Sequence, residues 1–245
     1  MAARARSAGV WRVLRNAVAL VLVCGLSLQL FWLGRIALMA GVDPQSTAFE
    51  RSEMWRLLTE KHQIAWAQQW VDGDRIAEPM KRAVIASEDS GFVDHHGIEW
   101  DALEQAWSRN QRALSKATPR RPPKLVGGST ITQQLSKNLF LSGERTMPRK
   151  AQEFVLTLAL EAMLSKQRIL ELYLNHVELG EGLFGVEAAA RHYFHRSASQ
   201  LDAASAARLA VLLPAPKRLE RQMGSALVTG RAASVLARMP SVALP

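Results

Sequence analysis

Cysteine is almost absent. The 245 residues hold one, Cys24, so no intrachain disulfide and no thiolate metal cluster can form. Nowhere do Val and Ile alternate with polar residues over the length of a strand, which argues against a sandwich or barrel and leaves an all-α, mainly helical chain. No repeat of 20–50 residues is visible, so a solenoid is excluded. Acids are scarce relative to bases, 22 against 31, a net charge of +9. Such an excess implies an acidic partner: nucleic acid, membrane phospholipid or a phosphorylated substrate. Hydrophobic residues make up 48% of the chain, which suits one globular domain with an apolar addition.

That addition lies at the N-terminus. Arg4, Arg6, Arg12 and Arg15 precede an uncharged run over 16–34; Arg35 interrupts it, and 36–40 is apolar again. About 20 apolar residues span a bilayer's hydrocarbon core. The pattern predicts a cytoplasmic basic tail over 1–16, a transmembrane anchor over 17–40, a linker over 41–52 and an outward-facing domain over 53–245. A cleaved signal peptide is the alternative, but the run is long for one and no small-x-small cleavage site clearly follows it. An outward domain also argues against nucleic acid as partner. The stretch 53–70 reads as helix and carries Trp55, Trp66 and Trp70, either at the membrane interface or as ordinary core residues.

Glu78-Pro79 opens a helix that ends on Glu88-Asp89. Two acids at a helix C-terminus oppose the macrodipole, and partial burial would raise a carboxylate pKa toward that of a useful general base. His95 and His96 follow, without the further Cys or His spacing that defines a metal site. The residues 101–107 read as helix. From 108 to 126 come Arg109, Arg112, Lys116, Arg120, Arg121 and Lys124, no acid, and Pro119, Pro122 and Pro123, which predicts a mobile cationic loop.

Gly127-Gly128-Ser129-Thr130 then turns into a helix with capping-box spacing at Thr130 and Gln133. Ile131, Leu135 and Leu139 form its apolar stripe; Gln133, Gln134 and Lys137 lie on another face. A glycine turn, free first-turn N–H groups and a lysine two turns in suit an anion. The next helix, from Arg149-Lys150, looks buried because Phe154, Val155, Leu158, Ala159, Ala162 and Met163 fill most of its circumference. A narrow polar stripe of Arg149, Glu153, Thr157 and Glu161 runs through it. Arg149 and Lys150 both reach Glu153, so an internal salt bridge competes with a catalytic role.

In order, the chain presents Glu88-Asp89-x-x-Phe92-x-x-His95-x-Gly97, the stretch 127–138, Arg149-Lys150-x-x-Glu153, Lys166-x-x-Ile169-Leu170-Glu171-x-Tyr173-Leu174-Asn175 and Gly185-Val186-Glu187-Ala188-Ala189-Ala190. This order resembles glycosyltransferase family 51, the peptidoglycan glycosyltransferases, over residues 70–217. No lysine has a serine three residues before it, so the nucleophile of a transpeptidase partner domain is missing. The single anchor and short C-terminus resemble the monofunctional members.

The resemblance implies a lysozyme-like glycosyltransferase domain lying on the outer face of the cytoplasmic (inner) membrane, on the periplasmic side. It implies lipid II and the growing lipid-linked glycan as substrates, membrane lipids as neighbours, and other cell-wall synthesis or division proteins as partners. By the family pattern Glu88 is the general base, with Asp89 and His95 in support. Glu153 is the second carboxylate, orienting the pyrophosphate or holding a divalent cation (Mg or Mn); no organic cofactor is implied. Lys137, Arg149 and Lys150 stabilise the leaving pyrophosphate, while Gln133, Gln134, Asn138, Ser129 and Thr130 line the sugar and phosphate site. Glu171 and Glu187 look structural. A lysozyme-like lytic enzyme is the competing expectation.

Overall fold

The computed structural model describes residues 2–116, 118, 123, 127–141 and 146–245. It divides into two units, Met1–Val42 and Asp43–Pro245. The first carries one helix, α1 (Ala2–Leu38), whose segment Trp11–Leu38 is long and apolar enough to cross a membrane.

The second unit is mainly helical. It opens with α2 (Ala48–Arg56), started by a capping box in which Thr47 and Glu50 each bond the other's backbone N–H. The helix expected over 53–70 stops early: a π-helical turn, Leu57–Lys61, ends at His62 in the left-handed region, and the chain then extends into β1 (Ala67–Gln68). Trp66 stacks on Phe184 with ring centroids 4.6 Å apart, and Trp70 lies against His176. Trp55 is 68% exposed, so the three tryptophans divide between packing and solvent.

Next come α3 (Glu78–Glu88), with Pro79 in its first turn, and α4 (Trp100–Ser115). Residues 108–115, expected in the loop, continue α4, because proline first occurs at 119. Of the rest of the expected loop, Pro119, Arg120, Arg121, Pro122 and Lys124 lie outside the described residues. Then follow α5 (Ile131–Phe140), α6 (Met147–Met163) and α7 (Lys166–His176). A small sheet comes next, made of β2 (Glu178–Gly180), β3 (Leu183–Phe184) and β1 in the order β1-β3-β2; β1 is parallel to β3 and β2 antiparallel to it. The chain closes through α8 (Val186–Phe194), α9 (Ala203–Leu212), the short α10 (Pro216–Leu219) and α11 (Ala226–Arg238).

Two packed groups set the site. α3 lies on α9 and α11, burying Met80, Ala83 and Val84. α5 lies on α6 and α7, with its stripe Ile131, Leu135 and Leu139 wholly buried. Here α6 departs from expectation. Phe154, Val155, Leu158 and Met163 are exposed, whereas Glu153 and Thr157 face inward. Burying that polar stripe is tolerable because each member is bonded. Thr157 Oγ1 lies 2.7 Å from the Glu153 carbonyl and 3.0 Å from Ser136 Oγ; Glu161 takes Thr132 Oγ1 at 2.5 Å and Lys166 Nζ at 2.9 Å.

Candidate active site

Glu88 is the last residue of α3 and sits half-buried. Gln134 Nε2 donates to its Oε2 at 2.9 Å, and Ser87 Oγ approaches its Oε1 at 3.3 Å. Burial pushes the carboxyl above the usual carboxylate range; the Gln134 and Ser87 hydrogen bonds oppose the shift, and the neighbouring Asp89 charge adds to it. A small cavity of about 120 Å³ opens beside Glu88, lined also by Asp89, Glu99, Ala102, Arg109 and 127–130. A larger cavity of about 500 Å³, between Lys81, Arg168 and Leu244, contains none of the expected site residues.

Asp89 points the other way. Its Oδ1 takes His95 Nε2 at 2.8 Å and its Oδ2 takes the Ile131 N–H at 2.9 Å. The N-terminus of α5, expected to hold a substrate anion, thus already receives one from within the chain. The capping box is complete: Gln133 N–H donates to Thr130 Oγ1 at 3.2 Å, and Thr130 N–H donates to Gln133 Oε1 at 3.1 Å. Thr130 Oγ1 also donates to the Gly97 carbonyl at 2.6 Å. Thr130 and Gln133 are both buried and occupied in shaping the turn; Ser129 remains exposed beside Glu88. The preceding glycines do not adopt the left-handed region. Gly128 suits a close approach, since a Cβ there would stand 3.1 Å from the Ala106 side chain and 3.2 Å from the Ala102 carbonyl oxygen. Gly97 does need its conformation: φ is 84°, and a Cβ would come within 2.7 Å of Glu161 Cγ.

On α5, Gln134 carries two bonds, one to Glu88 and one from Tyr173 Oη at 3.0 Å. Lys137 is half-buried one turn further on, and Asn138 is buried. Ser136 Oγ lies 3.3 Å from the Glu153 carbonyl, so α5 bridges Glu88 to Glu153. Glu153 is 3% exposed; Arg149 Nη1 bonds its Oε2 at 2.9 Å and Lys150 Nζ bonds its Oε1. The internal salt bridge is therefore formed, and it gathers two cations at the start of α6. Arg149 Nε is buried without a hydrogen-bond partner.

Two places could be considered for a divalent cation. At Glu153 both oxygens already accept from cations, so a metal would have to displace Arg149 and Lys150 and would meet their charge. Asp89, His95 and Glu99 bring possible ligand atoms within 4.8 Å of one another. There the tautomer decides. Gly97 N–H donates to His95 Nδ1 at 3.0 Å, so the neutral ring carries its proton on Nε2 and spends it on Asp89. Neither set fits a divalent cation as arranged.

The sequence reading left out Tyr173, whose ring looks like core, and Glu99 and Arg109, which reach the cavity from α4. Only the spacing of Tyr173 within its motif hinted at more than packing. Glu171 and Glu187 are structural as expected: Glu171 accepts the Gly73 N–H at 2.6 Å and Arg168 Nη1 at 2.7 Å, and Glu187 accepts the Ala198 N–H at 2.6 Å.

Chemically, this arrangement can take up a proton at Glu88 and stabilise an anion near Arg149 and Lys150. That pair of tasks belongs to a transferase with an acidic leaving group. Comparison with known proteins agrees in class. Residues 56–240 match the transglycosylase family. The chain is 46% identical over 235 residues to the biosynthetic peptidoglycan transglycosylase of Paraburkholderia phytofirmans, covering 96% of this chain and 94% of that one. It is 44% identical to the protein of the same name from Bordetella pertussis, covering 98% of each, and 45% identical to that of Burkholderia thailandensis, covering 100% of this chain and 92% of the relative. The chain belongs to the transglycosylase family and is a glycosyltransferase.

Proposed function

We propose that this enzyme polymerises lipid II into β-1,4-linked glycan strands at the outer face of the cytoplasmic membrane. Glu88 removes the proton from the 4-hydroxyl of the acceptor N-acetylglucosamine as that oxygen attacks C1 of the donor. The C1–O bond to pyrophosphate breaks with inversion, and the polyprenyl pyrophosphate leaves as an anion. It needs positive charge rather than a proton. Lys137, Arg149 and Lys150 supply that charge, and Glu153 holds the last two in place. Ser129, Gln134 and Asn138 line the path between the two ends, with Thr130 and Gln133 fixing its turn.

The observation that carries this reading is the asymmetry of the two carboxylates. Glu88 is desolvated and held by an amide, whereas both oxygens of Glu153 accept from cations. A lytic enzyme cutting between sugars would use a carboxylic acid such as Glu88 to protonate an alkoxide and would have no use for two cations gathered at the second carboxylate. The names of the relatives support peptidoglycan synthesis. The direct test is incubation with lipid II and, separately, with finished strands: polymer from the first and no cleavage of the second is expected, and degradation of strands without polymerisation would overturn the reading.

Arg4, Arg6, Arg12 and Arg15, which precede the apolar run in the sequence, put that end in the cytoplasm by the positive-inside rule, and the catalytic unit in the periplasm. Membrane lipids are further partners. Trp100, Leu103, Trp107 and Leu114 on α4 and Phe154, Val155 and Leu158 on α6 leave apolar surface exposed, joined where Trp100 meets Phe154 with ring centroids 6.1 Å apart. Other cell-wall synthesis or division proteins belong to the same proposal as partners.

A further inference from the structure

Tyr173 lies on α7, wholly buried, and does not line the cavity beside Glu88. Its hydroxyl nevertheless donates to Gln134 Oε1 at 3.0 Å, and the other end of that amide, Nε2, donates to Glu88 Oε2 at 2.9 Å. A primary amide has one accepting and one donating end. Turned end for end, Gln134 would set an oxygen against an ionised carboxylate. What decides its direction is the group on the far side.

That group has a proton to give, and gives it to Gln134. Burial, with the charges of Glu88 and Asp89, raises the Tyr173 pKa well above 10, so the hydroxyl keeps its proton throughout the range in which a glutamate titrates. A phenol that donates to Oε1 leaves Nε2 for Glu88. We infer that Tyr173 is a positioning residue for the general base, fixing the Gln134 amide with its N–H end toward Glu88. This rests on the reading of Glu88 as base.

The consequence has a sign. A hydrogen bond to the ionised form favours ionisation. Freeing the amide raises the Glu88 pKa, and the base stays protonated to higher pH. The other groups around Glu88 are unchanged by the loss of one hydroxyl. Asp89 lies on the same turn, Glu99 and Arg109 reach the cavity from α4, and Ser87 bonds the Ala210 carbonyl of α9.

The test is the pH–rate profile of lipid II polymerisation by the full-length Tyr173→Phe protein, which keeps the ring and its packing. The acid limb is expected to move to higher pH by about half to one unit, a three- to tenfold slower rate below it, with the rate recovering at high pH. Gln134→Leu should move the limb in the same direction, and adding Tyr173→Phe to it should move it no further. A uniform loss at every pH with the limb unmoved would overturn the inference, as would a second, additive shift in the double variant. If Tyr173→Phe cannot be recovered folded, an unmoved limb in Gln134→Leu overturns it alone. Failure of the underlying reading looks different: Glu88→Gln would then turn over normally.

Discussion

Asp89 Oδ2 accepts the backbone N–H of Ile131 at 2.9 Å, so the acid next to Glu88 caps the helix that carries Gln134, the amide partner of Glu88. One carboxylate thereby sets the distance between the end of α3 and the start of α5. His95, fixed as the Nε2–H tautomer by Gly97, holds the other oxygen.

Replacing Asp89 by Asn removes the charge at the helix start and sets a donor against one of the two N–H groups that Asp89 accepts, His95 Nε2–H or Ile131 N–H. We expect a stability loss of about 1–3 kcal/mol, read by urea unfolding. The effect on Glu88 has the opposite sign to that of Tyr173→Phe. A like charge is lost, the Glu88 pKa falls, and the acid limb of the pH–rate profile moves to lower pH. A limb moving to higher pH would contradict the electrostatic role given to Asp89.

Glu153→Gln leaves Arg149 and Lys150 without their counter-charge. Turnover is expected to fall by on the order of 10²-fold, the scale of losing an oriented charge-stabilising group. Because both oxygens accept from cations, the loss should be the same with and without added Mg²⁺. Rescue of Glu153→Gln by the metal, or a wild-type rate in its absence, would reassign the residue.

Glu178 gives a prediction about stability. Burial pushes its pKa up to about 7, opposed by Lys217, whose Nζ lies 3.4 Å from its Oε1. The folded protein keeps this proton to about 7, whereas the unfolded chain releases it near 4.5. Stability from this group is therefore fully present below the lower value and is lost as pH rises through the upper one, on the order of 3 kcal/mol. Unfolding at pH 5 and pH 8 should show the decline, and Glu178→Gln should reduce it. An equal decline in the variant would place the pH dependence elsewhere.

Much of this was legible in the sequence, and the remainder was hidden for identifiable reasons. Ile131, Leu135 and Leu139 announced a buried stripe by period alone. Glu88 and Glu153 were marked by local pattern, two acids ending a helix and an acid with cations within one turn, but only their places in the family motifs singled them out. The orientation of α6 could not be read. Its polar stripe is satisfied by Thr132, Ser136 and Lys166, which belong to other elements, so only the tertiary arrangement shows that the polar side faces in. The break after Lys61 was hidden for a similar reason: Trp66 and Trp70 keep a helical spacing while pairing with Phe184 and His176 far along the chain. Tyr173 read as core because it is core; its hydroxyl becomes informative only once Gln134 is placed beside it.

The central claim is that Glu88 takes the acceptor proton. Glu88→Gln keeps the shape and the capacity to accept a hydrogen bond while removing the base. Single-turnover polymerisation of lipid II by this variant, measured beside lipid II binding, tests it most directly. Binding should be retained while polymerisation falls by about 10²-fold or more, the lower range of a lost general base; near-normal turnover would show that Glu88 is not the base.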